Sequence, residues 1–173
     1  MTLTTLEQLL DREAIRDCLL RYARGLDRMD RELLENTYWP DAVDDHDNFR
    51  GLAMDFVDVA LDRVSRMDAT SLFIGNILIE LDGDAAEVET YFDCYHRMVR
   101  EDGSRYDLNT SGRYIDRFEK RDGEWRVAHR LVKHDWFREY PSSADWETGV
   151  AGHVYAPSRK PDDPVYRRAE LRQ

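Results

Sequence analysis

The spacing of apolar residues changes once along this chain, and that change limits the folds it can adopt. Over the first third, apolar residues recur every three or four positions, as in helices that pack one face on a core. From Thr70 onward they alternate with polar residues, which is typical of strands with one buried face. Asp-Gly pairs at 82–83, 102–103 and 122–123 separate the alternating stretches and predict hairpin turns. The sequence therefore predicts helices first and a meandering antiparallel sheet second.

The predicted elements form an α+β domain. Three helices are expected: one after a capping box at Thr5 and Gln8, a short one from Asp30 to Tyr38 that Pro40 ends, and one with an apolar stripe over 53–64. Strands are expected at 42–45, 70–81, 85–100, 106–120 and 124–137. Packing the helices on one face of a strongly curved, mostly antiparallel sheet leaves a pocket between the two layers.

Composition narrows the class of protein. A chain of 173 residues suits one domain, expected at 1–137, with a tail at 138–173 that either covers the pocket or a subunit interface or is loosely attached. A net charge of −11 disfavours nucleic acid and anionic membranes as partners. Cys18 and Cys94 lie on apolar faces, so they are expected to be buried and unpaired in a reducing compartment. Without a leader or an apolar span, a cytoplasmic location is expected.

His96 is the strongest candidate for chemistry, because it shares the apolar face of a predicted strand. The residues of that face are Ala86, Val88, Thr90, Phe92, Cys94, His96 and Met98. A buried imidazole needs partners for both ring nitrogens, and a lone inward histidine is more often structural than catalytic. Asn109 and Ser111 alternate on the next strand and could bind in the same cavity, although Tyr114 and Phe118 oppose them there.

Tyr22 and Asp27 lie at the end of the first predicted helix. Tyr22 belongs to the apolar stripe, whereas Asp27 lies about 140° from it around the axis, at roughly 100° per residue. Gly25 can loosen the last turn, which leaves Asp27 at the border of the buried stripe. The alternative for Asp27 is a solvated carboxylate that begins the next turn.

Two further clusters contain side chains that can bind metals. The first, in a turn-rich stretch, consists of Asp41, Asp44, Asp45, His46 and Asp47. It lacks the glycine and glutamate spacing of a calcium loop, so a solvated acidic loop is favoured. The second is His129, His134 and Asp135 on the last strand, where residues five apart point to opposite faces. Ordinary strand residues are the preferred interpretation, and no metal is expected.

Four motifs carry a resemblance to a known family. They are Leu-Asp-Arg-Glu-Ala-Ile-Arg-Asp at 10–17, Arg-Tyr-Ala-Arg-Gly-Leu-Asp at 21–27, Leu-Asp-Gly-Asp-Ala at 81–85 and Gly-Arg-Tyr-Ile-Asp-Arg-Phe-Glu-Lys-Arg-Asp-Gly-Glu-Trp-Arg at 112–126. With them, residues 5–137 resemble a SnoaL-like member of the nuclear transport factor 2-like superfamily. The resemblance implies a cone-shaped α+β barrel with three N-terminal helices. Scytalone dehydratase, a bile acid 7α-dehydratase, hexachlorocyclohexane dehydrochlorinase, polyketide cyclases and steroid isomerases share that superfamily.

The resemblance to the dehydratase-like branch also implies an active site. Tyr22 and Asp27 match a tyrosine and an aspartate of that branch by position, whereas Leu72 stands where those enzymes usually have the partner histidine. A second polar position of the branch falls near His96. Either the role of the histidine has moved to His96 or the chemistry has been lost.

The expected reaction is elimination of water or isomerisation of a double bond in a small, apolar cyclic substrate, such as a polyketide, a steroid or an aromatic-like compound, without a cofactor. His96 would remove a proton beside a carbonyl, Asp27 would fix the tautomer of His96, and Tyr22 would donate to the carbonyl or the leaving oxygen. The expected substrate-binding residues are Leu72, Asn76, Phe92, Asn109 and Ser111.

The alternative is a member without catalytic activity. Leu72 favours a small-molecule binding protein or a structural subunit resembling the β subunit of ring-hydroxylating dioxygenases. On the predicted outer face of the sheet, Tyr91, Tyr95 and Trp136 suggest a homo-oligomer, and the resemblance implies a dimer or a trimer.

Overall fold

The chain folds as three helices packed on a six-stranded sheet, in a computed structural model that describes residues 5–46, 48–146, 148 and 157–168. In chain order the elements are α1 (Leu6–Arg28), α2 (Arg31–Glu35), β1 (Tyr38–His46), β2 (Phe49–Leu52), α3 (Ala53–Ser65), β3 (Ala69–Asp82), β4 (Ala85–Val99), β5 (Arg105–Arg121) and β6 (Glu124–Pro141), followed by a 3-10 turn at Pro164–Tyr166. The predicted α+β class and the order of helices before long strands are confirmed.

The sheet has the strand order β2-β1-β6-β5-β4-β3. All neighbouring pairs are antiparallel except β1 and β6, which run parallel. The three predicted hairpins are present, and they connect β3 to β4, β4 to β5 and β5 to β6. In the turn between β5 and β6, Asp122 and Gly123 have φ of 52° and 83°, as a type I′ turn requires. Because β2 and β3 form the two edges, the sheet is open, and it curves round the helices without closing into a barrel.

The first two helices begin at the capping residues that the sequence predicts. Thr5 and Gln8 form the predicted capping box at the start of α1, and Asp30 caps α2. The expected helix through Tyr38 is wrong, because α2 ends at Glu35 and Tyr38 already belongs to β1. Pro40 lies in the irregular part of the β1–β6 pairing, between Tyr38 and Val43, where the strand does not need its missing N–H.

Both cysteines are buried and unpaired, as predicted. On the outer face of the sheet, Tyr91 and Trp136 are 43% and 44% exposed. That exposure is compatible with the predicted homo-oligomer, which remains a prediction.

The described part of the C-terminal segment packs against the ends of α1 and α3. The backbone N–H of Lys160 donates to Arg28, and the Arg159 guanidinium donates to the carbonyls of Val64 and Met67. Tyr155, with the rest of 149–156, lies outside the described residues, as does Asp47. Among the described helices, none is both long enough and apolar enough to cross a membrane.

Candidate functional site

A cavity of about 280 Å³ lies between the helices and the concave face of the sheet. Its apolar lining includes Leu26, Phe56, Val64, Leu72, Phe92 and Leu108, and its polar lining consists of Tyr22, His46, Arg63, Cys94, His96, Thr110, Tyr114 and His134. These residues come from both layers, so the cavity depends on the way the helices cover the sheet. A mainly apolar pocket with a few convergent polar groups is the usual form of a small-molecule site.

His96 lies on the cavity wall with a defined tautomer. Its Nδ1 is 3.4 Å from the carbonyl oxygen of Leu108, which can only accept, so Nδ1 carries the proton. Its Nε2 is therefore the basic atom, and the Cys94 thiol lies 3.4 Å from it. Burial lowers the pKa of His96 below its ordinary value of 6.5, while the Leu108 carbonyl and the charge of Asp27 oppose that shift. The result is a mostly neutral imidazole at neutral pH.

Asp27 is held at the end of α1 by the backbone of β3. Both carboxylate oxygens accept the Leu72 N–H, at 3.1 and 3.0 Å. Burial raises the pKa of the Asp27 carboxyl, and the Leu72 N–H is the largest of the opposing effects. The alternative interpretation of Asp27 as a solvated carboxylate is therefore wrong. Within the described residues, no hydrogen bond joins Asp27 to His96, so the carbonyl of Leu108 holds the His96 tautomer and Asp27 acts on it through its charge.

Tyr22 is buried and lines the cavity. Its ring meets those of Tyr38 and Tyr114 edge-on, with centroids 6.1 and 5.7 Å away. The guanidinium of Arg130 lies 4.3 Å from the centroid of the Tyr22 ring. Burial raises the pKa of Tyr22 to about 12, so its hydroxyl stays protonated at neutral pH and can donate a hydrogen bond.

A buried charged network lies beneath Tyr22. Arg130 donates to both oxygens of Asp116, at 2.8 and 2.6 Å, and to the Tyr38 hydroxyl at 3.3 Å. Tyr38 in turn donates to Asp44 at 2.8 Å. Arg130, Tyr38 and Asp44 have no exposed surface, so the network is part of the core.

The cavity also contains two histidines that the sequence analysis assigned to other roles. The solvated acidic loop expected around Asp44 and His46 is wrong, because β1 runs to His46 and its alternation puts both side chains on the inner face. His134 shares the inner face of β6 with Arg130, whereas His129 is exposed on the other face. The ring centroids of His46 and His134 are 5.9 Å apart. The alternation of inward and outward residues along β1 and β6 is the sequence signal that could have placed His46 and His134 in the cavity.

Of the predicted substrate-binding residues, some line the cavity and others do not. Leu72 and Phe92 line the cavity. Asn76 is exposed on β3. Asn109 and Ser111 lie on the opposite face of β5 from Leu108 and Thr110, and they hydrogen-bond to Asp93 and to the backbone of Phe92. Asn109 and Ser111 therefore point away from the cavity, because the inward positions on this part of β5 are the even-numbered ones, and Asn76 does not line the cavity either.

A second depression is larger but different in kind. It measures about 580 Å³ and opens to solvent between α1, α2 and the β5–β6 turn, where Asp17, Arg21, Glu124 and Arg126 contribute charge. A broad charged surface of this type cannot exclude water from a reacting ligand. No group of three or more histidine, cysteine or acidic side chains in the described part of the chain is arranged to hold a metal ion.

Several solved structures share this fold. A candidate scytalone dehydratase from Novosphingobium aromaticivorans is 24% identical, with 88% of this chain and 95% of that chain aligned at a TM-score of 0.68. The hexachlorocyclohexane dehydrochlorinase LinA-type3 from Novosphingobium barchaimii is 21% identical, with 88% and 98% aligned and a TM-score of 0.68. A candidate aromatic ring hydroxylase from Novosphingobium aromaticivorans is 19% identical, with 76% and 94% aligned and a TM-score of 0.66.

These identities establish the fold and leave the reaction open. No curated protein sequence matches the chain. The model of the SnoaL-like domain matches residues 7–131, which cover the three helices and the sheet through the first part of β6. The chain therefore belongs to the SnoaL-like family.

Proposed function

We propose that this protein is a cofactor-independent acid/base enzyme, a dehydratase or isomerase, that acts on a small apolar cyclic ketone. The observation that carries the proposal is the 3.4 Å contact of His96 Nδ1 with the Leu108 carbonyl, which leaves Nε2 as the basic atom on the wall of a largely apolar cavity. A neutral imidazole with a fixed tautomer is suited to remove a proton from carbon beside a carbonyl. The cavity, at about 280 Å³, is near the lower end of the usual range for ligand sites, which favours a ligand of one or two rings.

The other residues assist the transfer. When His96 takes a proton it becomes an imidazolium, and the charge of Asp27 stabilises that form. The electron pair released from the C–H bond moves towards the carbonyl oxygen of the ligand. The Tyr22 hydroxyl, which burial keeps protonated, is the donor that we assign to that oxygen.

The test follows proton exchange in deuterated water. Cyclohexanone, 3-hydroxycyclohexanone and 1-tetralone are incubated with the protein, and NMR measures deuterium entering the positions beside the carbonyl. We expect His96→Asn to lower the exchange rate by about 10²- to 10⁴-fold, the usual contribution of a general base. His129→Asn is the matched control, because His129 is exposed on the same sheet but outside the cavity. Exchange that survives His96→Asn unchanged would remove His96 from this role.

A second candidate function is binding without catalysis. Leu72 favours it, since its side chain fills a cavity position where the family resemblance puts a histidine, and its N–H occupies both oxygens of Asp27. A ketone that raises the melting temperature of the wild-type protein but undergoes no exchange would support this alternative.

A further inference from the structure

We propose that Asp44 and His46 form a second proton-transferring pair in the cavity, with His46 as the acid that protonates a leaving hydroxyl group. The substrate class is then a cyclic β-hydroxy ketone, and the reaction is a dehydration. This inference rests on the proposed function, because it needs His96 to remove the proton from carbon.

The first observation is the environment of the Asp44 carboxylate. It has no exposed surface, and its Oδ2 accepts the Tyr38 hydroxyl at 2.8 Å. Its Oδ1 has no hydrogen-bond partner within the described part of the chain and lies 3.6 Å from Nδ1 of His46. Catalytic contacts are often this long in the absence of ligand and tighten when it binds. A buried acceptor of this kind is costly unless a donor serves it, and His46 is the donor that it faces.

The second observation is that Arg130, the neighbouring cation, already pairs with Asp116. Arg130 donates from Nε and Nη2 to Asp116, and among the residues that the structure describes it is linked to Asp44 through the hydroxyl of Tyr38. Asp44 is therefore placed to stabilise a positive charge on His46, as carboxylates do for catalytic imidazoles in general. Because Nδ1 faces Asp44, the Nε2 atom lies across the ring, on the side away from the carboxylate.

The third observation is the position of His46 relative to His96. His46 is on β1 and His96 is on β4, which are three strand spacings apart in the sheet order, or about 14 Å along a flat sheet. Both side chains nevertheless line the same cavity. His46 faces Asp44 from β1 and His134 from β6, with Arg63 of α3 in the same lining, and its ring stacks on Phe56 with centroids 4.5 Å apart. A ligand in this cavity would meet a base from β4 and an acid from β1.

The arrangement fits one balanced reaction. Nε2 of His96 takes the proton beside the carbonyl, and the C–H electron pair becomes the new carbon–carbon double bond. The bond from the β carbon to the hydroxyl oxygen breaks, and that oxygen takes a proton from His46 and leaves as water. The product is an enone, and the two histidines return to their starting forms by exchanging protons with solvent. A halide leaves without a proton, so a dehydrohalogenation would have no use for His46.

The experiment compares two leaving groups on the same ring. The substrates are 3-hydroxycyclohexanone and 3-(4-nitrophenoxy)cyclohexanone, which both give cyclohexenone, but 4-nitrophenolate leaves without protonation. We expect His46→Gln to slow loss of water by about 10²- to 10⁴-fold and to change loss of 4-nitrophenolate by less than about threefold. Deuterium exchange into cyclohexanone, which needs His96 but no protonated leaving group, is expected to continue in this variant.

A second variant keeps the test independent of how well His46→Gln folds. In Asp44→Asn, the side-chain oxygen can still accept from Tyr38, and His46 keeps its stack on Phe56. We expect a smaller loss of water elimination, again without a matching loss of 4-nitrophenolate elimination. Asp45→Asn is the matched control, since the neighbouring carboxylate pairs with Arg50 at 3.6 Å.

Each result has a separate meaning. Equal losses for both leaving groups, or no loss for either, would overturn the assignment of His46 while leaving the base intact. Wild-type protein that exchanges no proton of cyclohexanone would overturn the proposed function, and this inference with it.

Discussion

The charges of Asp27 and His96 depend on each other, although no hydrogen bond joins them within the described residues. Burial pushes each group towards its neutral form, and each charge opposes that effect on the other. In Asp27→Asn the carboxylate charge is lost, so the pKa of His96 is expected to fall further below 6.5. An NMR titration of the His96 ring in both proteins measures the shift.

Asp93→Asn provides the control for that titration. Asp93 is on the same strand as His96, but it hydrogen-bonds to Asn109 on the outer face. Its removal is expected to leave the pKa of His96 where it is in the wild-type protein. If Asp27→Asn also leaves it unchanged, the two groups are not coupled and the assistance assigned to Asp27 is lost.

Among the elements, β5 and β6 pair irregularly at Gly112, next to the cavity residues Phe92 and His134. The register shifts between Ser111 and Gly112, and a Cβ at Gly112 would lie 2.3 Å from the carbonyl oxygen of Lys133. Gly112→Ala therefore forces two strand backbones apart, beside His134. We expect it to lower the free energy of unfolding by at least about 1–3 kcal/mol, as overpacking does.

Gly75→Ala is the matched substitution on β3. A Cβ there would lie 3.4 Å from the carbonyl oxygen of Tyr91, which is an ordinary contact. Urea denaturation of both variants compares the two sites directly. Similar losses of stability would show that glycine in these strands matters for reasons other than the close approach at Gly112.

The elements were more predictable than the site, and the reason is physical. Alternation and Asp-Gly turns are local signals, so four long strands could be predicted within a few residues of their observed ends. Which face of a strand turns inward depends on its partners, and that misdirected the expectation for Asn109 and Ser111. His46 was missed because a run of acidic residues looks like a solvated loop until β1 is paired with β2 and β6. The position of His96 could be predicted because six apolar or small neighbours share its face.

At the scale of the whole molecule, the buried contacts of Arg130 connect β6 to α1, β1 and β5, all of which contribute residues to the cavity. The guanidinium lies against the rings of Tyr22 and Tyr114, 4.3 and 4.2 Å from their centroids, and binds Asp116 with two hydrogen bonds. Through these contacts β6 is tied to α1 and β5, and through Tyr38 it is tied to β1. Since Asp116 is almost fully buried, its charge depends on Arg130 for compensation.

Arg130→Met should therefore be one of the most destabilising substitutions in the chain, with a loss of about 3–5 kcal/mol in the free energy of unfolding, because it leaves the charge of Asp116 buried and unpaired. The double variant Arg130→Met, Asp116→Leu removes both charges, and we expect it to recover most of that loss. Arg126→Met is the control on the same strand: Arg126 pairs with the exposed Glu124, so a change below about 1 kcal/mol is expected. Chemical denaturation of the four proteins separates the cost of an unpaired charge from the loss of the arginine itself. If the double variant is as unstable as Arg130→Met, the contacts of the guanidinium with Tyr22, Tyr38 and Tyr114 hold the layers together, and neutralising Asp116 is secondary.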